Sequence, residues 1–66
     1  MITTSKLVPN DIVRFGNIVT GFKFATVIKK EKAFKARQYF VTLQYSHGGQ
    51  ATEVFASNQQ WVKVNA

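Results

Sequence analysis

Apolar and polar residues alternate along most of this 66-residue chain, and a repeat of two predicts β-strands and not helices. The cleanest segment is residues 38–45, where every odd position from 39 to 45 is aliphatic or aromatic. Further strands are predicted over residues 12–15, 19–29, 50–55 and 61–64. The second strand has two distinct faces: Phe22, Phe24, Thr26 and Ile28 on one, and Lys23, Ala25, Val27 and Lys29 on the other.

Turn-forming residues separate these segments. Pro9-Asn10-Asp11, Gly16-Asn17 and Ser46-His47-Gly48-Gly49 mark breaks in the alternation, and residues 56–60 are typical of a 3₁₀ or turn connection. Five short strands in so short a chain must close on themselves to avoid bare edges. We therefore expect an all-β fold, with one small five-stranded barrel spanning residues 1–66 and a short 3₁₀ turn before the last strand. Residues 1–6 are expected to form a flexible N-terminal arm.

The excess of positive charge along the chain indicates a possible function. The chain has nine Lys and Arg residues against three acids, a net charge of +6 and a pI near 10.1. A field of this strength in a small domain favours nucleic acid, an anionic membrane or an acidic protein as a partner. Six of the nine cations fall within residues 23–37, and we expect residues 30–37 to form a basic loop.

These cations predict a protein that binds nucleic acid with little sequence preference, DNA and RNA being equally compatible, because lysines near phosphates release condensed counterions. Phe34 lies inside the basic loop and either stacks on a base or anchors the loop in the core. If the valines of the last strand face the core, Trp61 shares the outer face with Lys63; otherwise Trp61 closes one end of the barrel. The candidate nucleic-acid-binding residues are Lys23, Lys29, Lys30, Lys32, Phe34, Lys35, Arg37, Trp61 and Lys63.

The residues suited to catalysis are few. The chain has one histidine, His47, and no cysteine, so we expect no enzymatic activity, no metal site and no cofactor. Asp11 is read as a turn-capping acid and Glu53 as a solvent-facing strand residue. Residues 1–6 lack the apolar core of a signal peptide and no apolar run reaches membrane-spanning length, so we expect a cytoplasmic protein that does not enter the membrane.

Two segments resemble SH3-like barrels. The run Phe55-Ala56-Ser57-Asn58, followed by Trp61-Val62-Lys63-Val64, looks like the 3₁₀ turn and last strand of SH3 domains. Residues 7–13 resemble the opening of many bacterial SH3-like barrels. The resemblance implies a five-stranded SH3-like barrel in which Trp61 contributes to a ligand groove. The acidic loop that supports proline-rich peptide binding in eukaryotic SH3 domains is missing.

A looser resemblance is to the plasmid-encoded type II dihydrofolate reductases, carried by Asp11-Ile12-Val13-Arg14 and Lys63-Val64-Asn65. It implies a tetrameric barrel with a central pore. The Val-Gln-Ile-Tyr segment that carries the pore chemistry is replaced here by Thr52-Glu53-Val54-Phe55, which makes a reductase the least favoured reading. The main alternative to nucleic acid is an interaction module that docks on an acidic protein, where the same lysines would steer association.

Overall fold

The computed structural model describes residues 1–65 and, at Asn17, the backbone alone. Six β-strands and one 3₁₀ helix make up the regular structure of this part of the chain. They are β1 (Ile2–Thr3), the 3₁₀ helix (Thr4–Lys6), β2 (Ile12–Asn17), β3 (Gly21–Lys32), β4 (Gln38–Tyr45), β5 (Gln50–Ala56) and β6 (Gln60–Lys63). The all-β prediction is confirmed, and β2 to β6 correspond to the five predicted strands.

The strands form one antiparallel sheet in the order β1-β6-β2-β3-β4-β5. The sheet curls, since Phe55 on β5 and Trp61 on β6 lie 4.6 Å apart although three strands separate β5 from β6 in this order. It does not close, because β5 and β1 remain the two edges. The prediction of a closed five-stranded barrel is therefore wrong in strand number and in closure: a two-residue first strand extends the sheet beyond β6.

One face of the curled sheet, the inner face, carries the core. Directly paired residues of antiparallel strands point to the same side, and Val13 pairs with Ala25, while Val27 pairs with Leu43. The fully buried apolar residues are Leu7, Val13, Ala25, Val27, Val41, Leu43 and Trp61. Burying a side chain of this size stabilises the fold by roughly 1.5–3 kcal/mol, which a domain of this length needs from nearly every core position.

The N-terminal segment, expected to be a flexible arm, is part of the fold. Ile2 and Thr3 pair with Trp61 and Gln60, and the Thr4 amide donates to the Gln59 carbonyl at 3.0 Å. Thr4 is fully buried, and its hydroxyl accepts a hydrogen bond of 2.7 Å from the indole N–H of Trp61. The 3₁₀ helix thus occurs here, whereas the 3₁₀ segment predicted before the last strand is a simple turn, closed by a hydrogen bond from the Gln59 amide to the Ala56 carbonyl.

Two of the three predicted breaks are turns, at Pro9-Asn10-Asp11 and at Ser46-His47-Gly48-Gly49, whereas Gly16-Asn17 lies inside β2 and does not end the strand. The Asp11 amide donates to the Val8 carbonyl at 3.2 Å across Pro9 and Asn10, and Asn10 has φ 78°. Proline followed by a residue with positive φ defines a type II turn. The Asp11 carboxylate accepts from the Val8 amide at 3.0 Å, which confirms its reading as a turn-capping acid.

A β-bulge at Ile28 changes the phase of β3. The register with β4 runs Val27 to Leu43 and then Lys29 to Thr42, so that Ile28 is the extra residue. Before the bulge, odd-numbered residues of β3 face the core; after it, even-numbered residues do. Lys30 and Lys32 therefore lie on the inner face, opposite Val41 and Tyr39, and Lys29 lies on the outer face.

Candidate functional site

The end of the β3–β4 hairpin gathers cationic and aromatic side chains beyond the limit of the core. We call this set the hairpin end; it consists of Lys30, Lys32, Phe34, Lys35, Arg37 and Tyr39. The strands contribute the first two lysines and Tyr39, and the five-residue loop 33–37 contributes the rest. The basic loop is thus shorter than the predicted 30–37, because β3 continues to Lys32. The loop begins with a hydrogen bond from the Ala33 amide to the Gln38 carbonyl at 3.1 Å.

Lys30 ties the hairpin end to the N-terminal segment. Its ammonium nitrogen lies 4.9 Å from the centroid of the Tyr39 ring and donates to the backbone carbonyl of Ser5 at 2.5 Å. A cation over an aromatic face is attracted by the ring quadrupole. Lys30 is consequently only partly exposed, and its charge is held in place beside Tyr39 while the other cations of the loop extend into solvent.

The loop itself surrounds a concave surface. Phe34 has 102% relative exposure, which excludes the alternative in which it anchors the loop in the core. Lys35 and Arg37 are also exposed. The concavity has a volume of about 500 Å³ and includes Ser5, Lys32, Tyr39 and Ser57 in its lining together with the loop. A fully exposed phenylalanine ring beside three exposed cations is an unusual use of an apolar residue, and it gives a flat ligand group a surface to stack on.

Arg37 fixes the shape of this loop. Its φ is 63°, in the left-handed region that costs a non-glycine residue roughly 1–2 kcal/mol. Its carbonyl accepts a hydrogen bond of 2.7 Å from the Ser57 amide in the β5–β6 turn. This bond extends the β4–β5 ladder by one residue pair beyond Gln38 and Ala56. Glycine would adopt this conformation without that cost, so the strain at Arg37 marks the position as a candidate for function.

Among the described residues, no carboxylate forms an ion pair with the hairpin end. Within residues 1–65 the ion pairs are Lys29 with Glu31 at 3.0 Å, and Lys63 with Asp11 at 3.2 Å. Glu31 pairs with Phe40 on the outer face, and so it faces away from Lys30 and Lys32. The hairpin end therefore carries four cations without an ion-pair partner among the described residues, and three of them, Lys32, Lys35 and Arg37, are exposed to solvent.

The remaining predicted site residues lie elsewhere. Lys29 is on the outer face with Glu31, and Lys63 is paired with the buried Asp11. Lys23 pairs with Phe15 at the other end of β3, nine residues and thus roughly 30 Å of strand from Lys32. The nine candidate residues consequently do not form one surface.

Trp61 is a correction to the predicted site. It is 3% exposed and packs edge-on against Phe15 and Phe55, with ring centroids 5.3 and 4.6 Å away. Trp61 and Lys63 do share a face, as the alternation implies, but it is the inner face: Val62 pairs with Arg14 on the outer side. The assumption that the valines face the core is wrong, and Trp61 offers no ring to a ligand.

A second exposed group was missed by the sequence reasoning. Phe22 and Phe24 are 45% and 40% exposed on the outer face of β3. The Arg14 guanidinium lies over the Phe22 ring, 4.5 Å from its centroid. Alternation correctly put both rings on one face, but it could not tell which face is buried, because both faces of β3 carry apolar residues.

The single histidine and one of the acids both contact Tyr45. His47, exposed on the β4–β5 turn, stacks on Tyr45 at 5.4 Å. The Tyr45 hydroxyl donates to Glu53 at 3.4 Å; partial burial, followed by the charge and hydrogen bond of Glu53, raises the pKa of this phenol.

Residues 1–65 contain no group of three His, Cys, Asp or Glu side chains placed to hold a metal ion, and no helix with the length and apolar character to cross a membrane.

The fold defines a class, a small all-β protein built on one curled antiparallel sheet, with a basic and aromatic hairpin end as its most distinctive surface. The chain matches no protein-family model, no curated protein and no solved structure.

Proposed function

We propose that this protein binds nucleic acid through the hairpin end, mainly by contact with phosphates. The observation that carries the proposal is the placement of three exposed cations, Lys32, Lys35 and Arg37, around one concavity with the fully exposed Phe34 ring. Lys30 lies nearby on β3, and none of the four cations forms an ion pair among the described residues. We also propose that the sheet is a variant of the SH3-like barrel. The consecutive hairpins from β2 to β5, with β6 beside β2, agree with what the sequence resemblance implies.

The mechanism is neutralisation of the backbone. Each of the four cations approaches a phosphate and releases a condensed counterion; these cations are Lys30, Lys32, Lys35 and Arg37. Each contact makes the slope of log affinity against log salt concentration more negative by about 0.7 on a single strand and by about 0.9 on a duplex. Four contacts predict a log–log slope of roughly −3 to −4. Phe34 adds a stacking surface for an unpaired base, a contact worth roughly 1–3 kcal/mol where it forms.

Little sequence preference is expected. Residues 1–65 contain no α-helix to enter a major groove, and lysine and phenylalanine read charge and ring faces instead of base edges. Binding is expected to be comparable across sequences at fixed length and salt. An acidic protein partner, the alternative raised by the charge, would instead give binding that is selective and resists competitor DNA.

The test is fluorescence anisotropy with labelled oligonucleotides over a salt series, using two variants of equal net charge. Lys32→Ala with Lys35→Ala removes two cations of the hairpin end; Lys23→Ala with Lys29→Ala removes two cations outside it. Both variants lower the net charge from +6 to +4. We expect the first variant to reduce the slope by about 1.4–1.8, and the second to change it by far less.

Equal losses in the two variants would show that binding follows net charge alone and would remove the hairpin end as the site. Absence of binding by the wild-type protein at micromolar concentration and about 50 mM salt would refute the proposed function, because even non-specific affinities reach that range at physiological salt.

A further inference from the structure

Three residues on the outer face of β2 and β3 form a second exposed surface, which we call the aromatic platform: Arg14, Phe22 and Phe24. Arg14 pairs directly with Phe24 across the two strands, so the side chains stand side by side. Phe22 and Phe24 retain 45% and 40% of their exposure. Isolated exposed apolar residues are ordinary on protein surfaces, but two aromatic rings joined by an arginine are typical of binding sites.

The polar groups beside the platform are suited to a ligand with hydrogen-bonding edges. A shallow concavity of about 280 Å³ adjoins Phe24, and its lining includes Ile12, Thr26, Gln44 and Ser46. Thr26 pairs with both Ile12 and Gln44 on the outer face. A planar group that stacks on Phe24 would therefore meet a hydroxyl and an amide at its edge.

We propose that the aromatic platform binds unpaired bases, which makes the ligand of the hairpin end a single-stranded nucleic acid; this inference rests on the proposed function. Alternate residues on a strand are about 6.6 Å apart, twice the 3.4 Å that separates stacked nucleotides along one strand of a duplex. Phe22 and Phe24 can therefore each receive a base only when neighbouring bases are unstacked. Bases inside a duplex cannot reach either ring.

The position of the platform relative to the hairpin end also excludes a duplex as a ligand of both. The platform lies on the outer face near the start of β3, and Lys30 and Lys32 lie on the inner face near its end. Phe24 and Lys32 are eight residues, or roughly 26 Å, apart along the strand. A duplex with a persistence length of about 150 base pairs cannot pass from one face of a small sheet to the other, whereas a flexible single strand can.

Charge complementarity favours this occupant over a second copy of the chain. Arg14 is the only charged residue of the platform, and its nearest sheet neighbours on the outer face are Val62 and Phe24. In an isologous dimer through this face, the same patch of each copy would supply an arginine and two phenylalanines but no acidic side chain to pair with Arg14. A nucleotide supplies both an anionic phosphate for Arg14 and a ring for the phenylalanines.

The test compares a platform variant, Phe22→Leu with Phe24→Leu, with a control variant, Ile28→Ala with Val54→Ala. The control residues are exposed to a similar degree, 43% and 46%, and lie outside the platform. Affinities are measured for labelled ten-nucleotide oligothymidine and for a duplex of equal length. We expect the platform variant to lose about tenfold or more in affinity for the single strand with little change for the duplex, and the control variant to bind both like wild type.

Photocrosslinking of wild-type protein to bromodeoxyuridine-substituted oligonucleotide provides a measurement that does not depend on a variant folding. Crosslinks at Phe22 or Phe24 support the inference. Crosslinks confined to Phe34, or equal losses of single-strand and duplex affinity in the platform variant, overturn it.

Two outcomes separate this inference from the proposed function. A platform variant that binds like wild type, while Lys32→Ala with Lys35→Ala weakens binding, overturns the platform and leaves the hairpin end standing. A wild-type protein that binds neither oligonucleotide overturns both. Displacement of bound oligothymidine from the platform by poly-glutamate, with crosslinks lost only at Phe22 and Phe24, would assign that face to an acidic protein and would also overturn the inference.

Discussion

The hydrogen bond between Thr4 and Trp61 predicts how strongly the N-terminal segment supports the core. Thr4 is fully buried, and its hydroxyl is the acceptor for the Trp61 indole at 2.7 Å. Thr4→Val keeps the side-chain shape and removes the acceptor. The indole N–H would then be buried without a partner, because Trp61 is only 3% exposed.

Leaving a buried donor unsatisfied costs roughly 1–3 kcal/mol, and we expect Thr4→Val to lower the free energy of unfolding by about 2 kcal/mol. For a domain of this size each kcal/mol shifts the melting temperature by about 4–8 °C, which predicts a fall of about 8–16 °C. Urea unfolding followed by circular dichroism and by the fluorescence of the single tryptophan measures the change.

Thr4→Ser is the matched control, because it retains the hydroxyl and removes a buried methyl group worth about 0.8 kcal/mol. If the hydrogen bond matters more than the methyl packing, valine is the more damaging substitution although it is the better isostere. A Thr4→Val protein as stable as Thr4→Ser, or more stable, would refute this reasoning and would show that packing of the Thr4 side chain matters more than its hydrogen bond to Trp61.

Three further predictions concern single residues. A methyl group on Gly16 would lie 2.2 Å from the Gly21 carbonyl oxygen, whereas one on Gly21 would meet no atom within 4 Å. Because both glycines have positive φ, Gly21→Ala should lower the free energy of unfolding by about 1–2 kcal/mol, and Gly16→Ala should lower it clearly more. Thermal melts measure both losses, and equal losses would contradict the clash at Gly16. Arg37→Gly should leave the free energy of unfolding unchanged or raise it by up to about 1 kcal/mol while weakening oligonucleotide binding, and a loss of stability would show that the arginine side chain supports the loop. The raised pKa of Tyr45 means that its phenol ionises less readily in the folded state than in the unfolded state. The contribution of Tyr45 to the free energy of unfolding is therefore complete below about pH 10 and is lost as pH rises through the raised pKa. Between pH 9 and 11 the wild-type protein should lose more stability than Tyr45→Phe, and parallel stability curves would exclude this linkage.

The sequence was sufficient to predict where the strands lie, but not which face of each strand is buried. Residues 38–45 alternate unambiguously, and β4 has the predicted bounds. In the last strand both parities are partly apolar, with Trp61 on one and Val62 and Val64 on the other. Burial of the Trp61 ring decided which of the two sets of alternate residues faces the core. That decision depends on Thr4, a residue 57 positions away that supplies the indole's acceptor, and no local pattern contains such information.

The candidate site was predicted in part for a similar reason. Composition located the cations between residues 23 and 37, but a bulge at Ile28 redistributed them between the two faces. Without it, Lys29 would lie on the inner face and Lys30 on the outer. A single inserted residue in a strand leaves no clear sequence signal when its neighbours are lysine and isoleucine, because it is defined by pairing with β4.

The distribution of the three acids explains why the net charge of this protein has a location. Asp11 pairs with Lys63, Glu31 pairs with Lys29, and Glu53 accepts from the Tyr45 hydroxyl. None of these three contacts involves a residue of the loop 33–37. Two of the nine cations are paired in this way, and four of the seven that remain belong to the hairpin end. A scattered excess of lysine would serve solubility alone. An excess concentrated at the hairpin end, where no described residue forms an ion pair, produces a directed positive field. A phosphate backbone that approaches the protein would meet that field first.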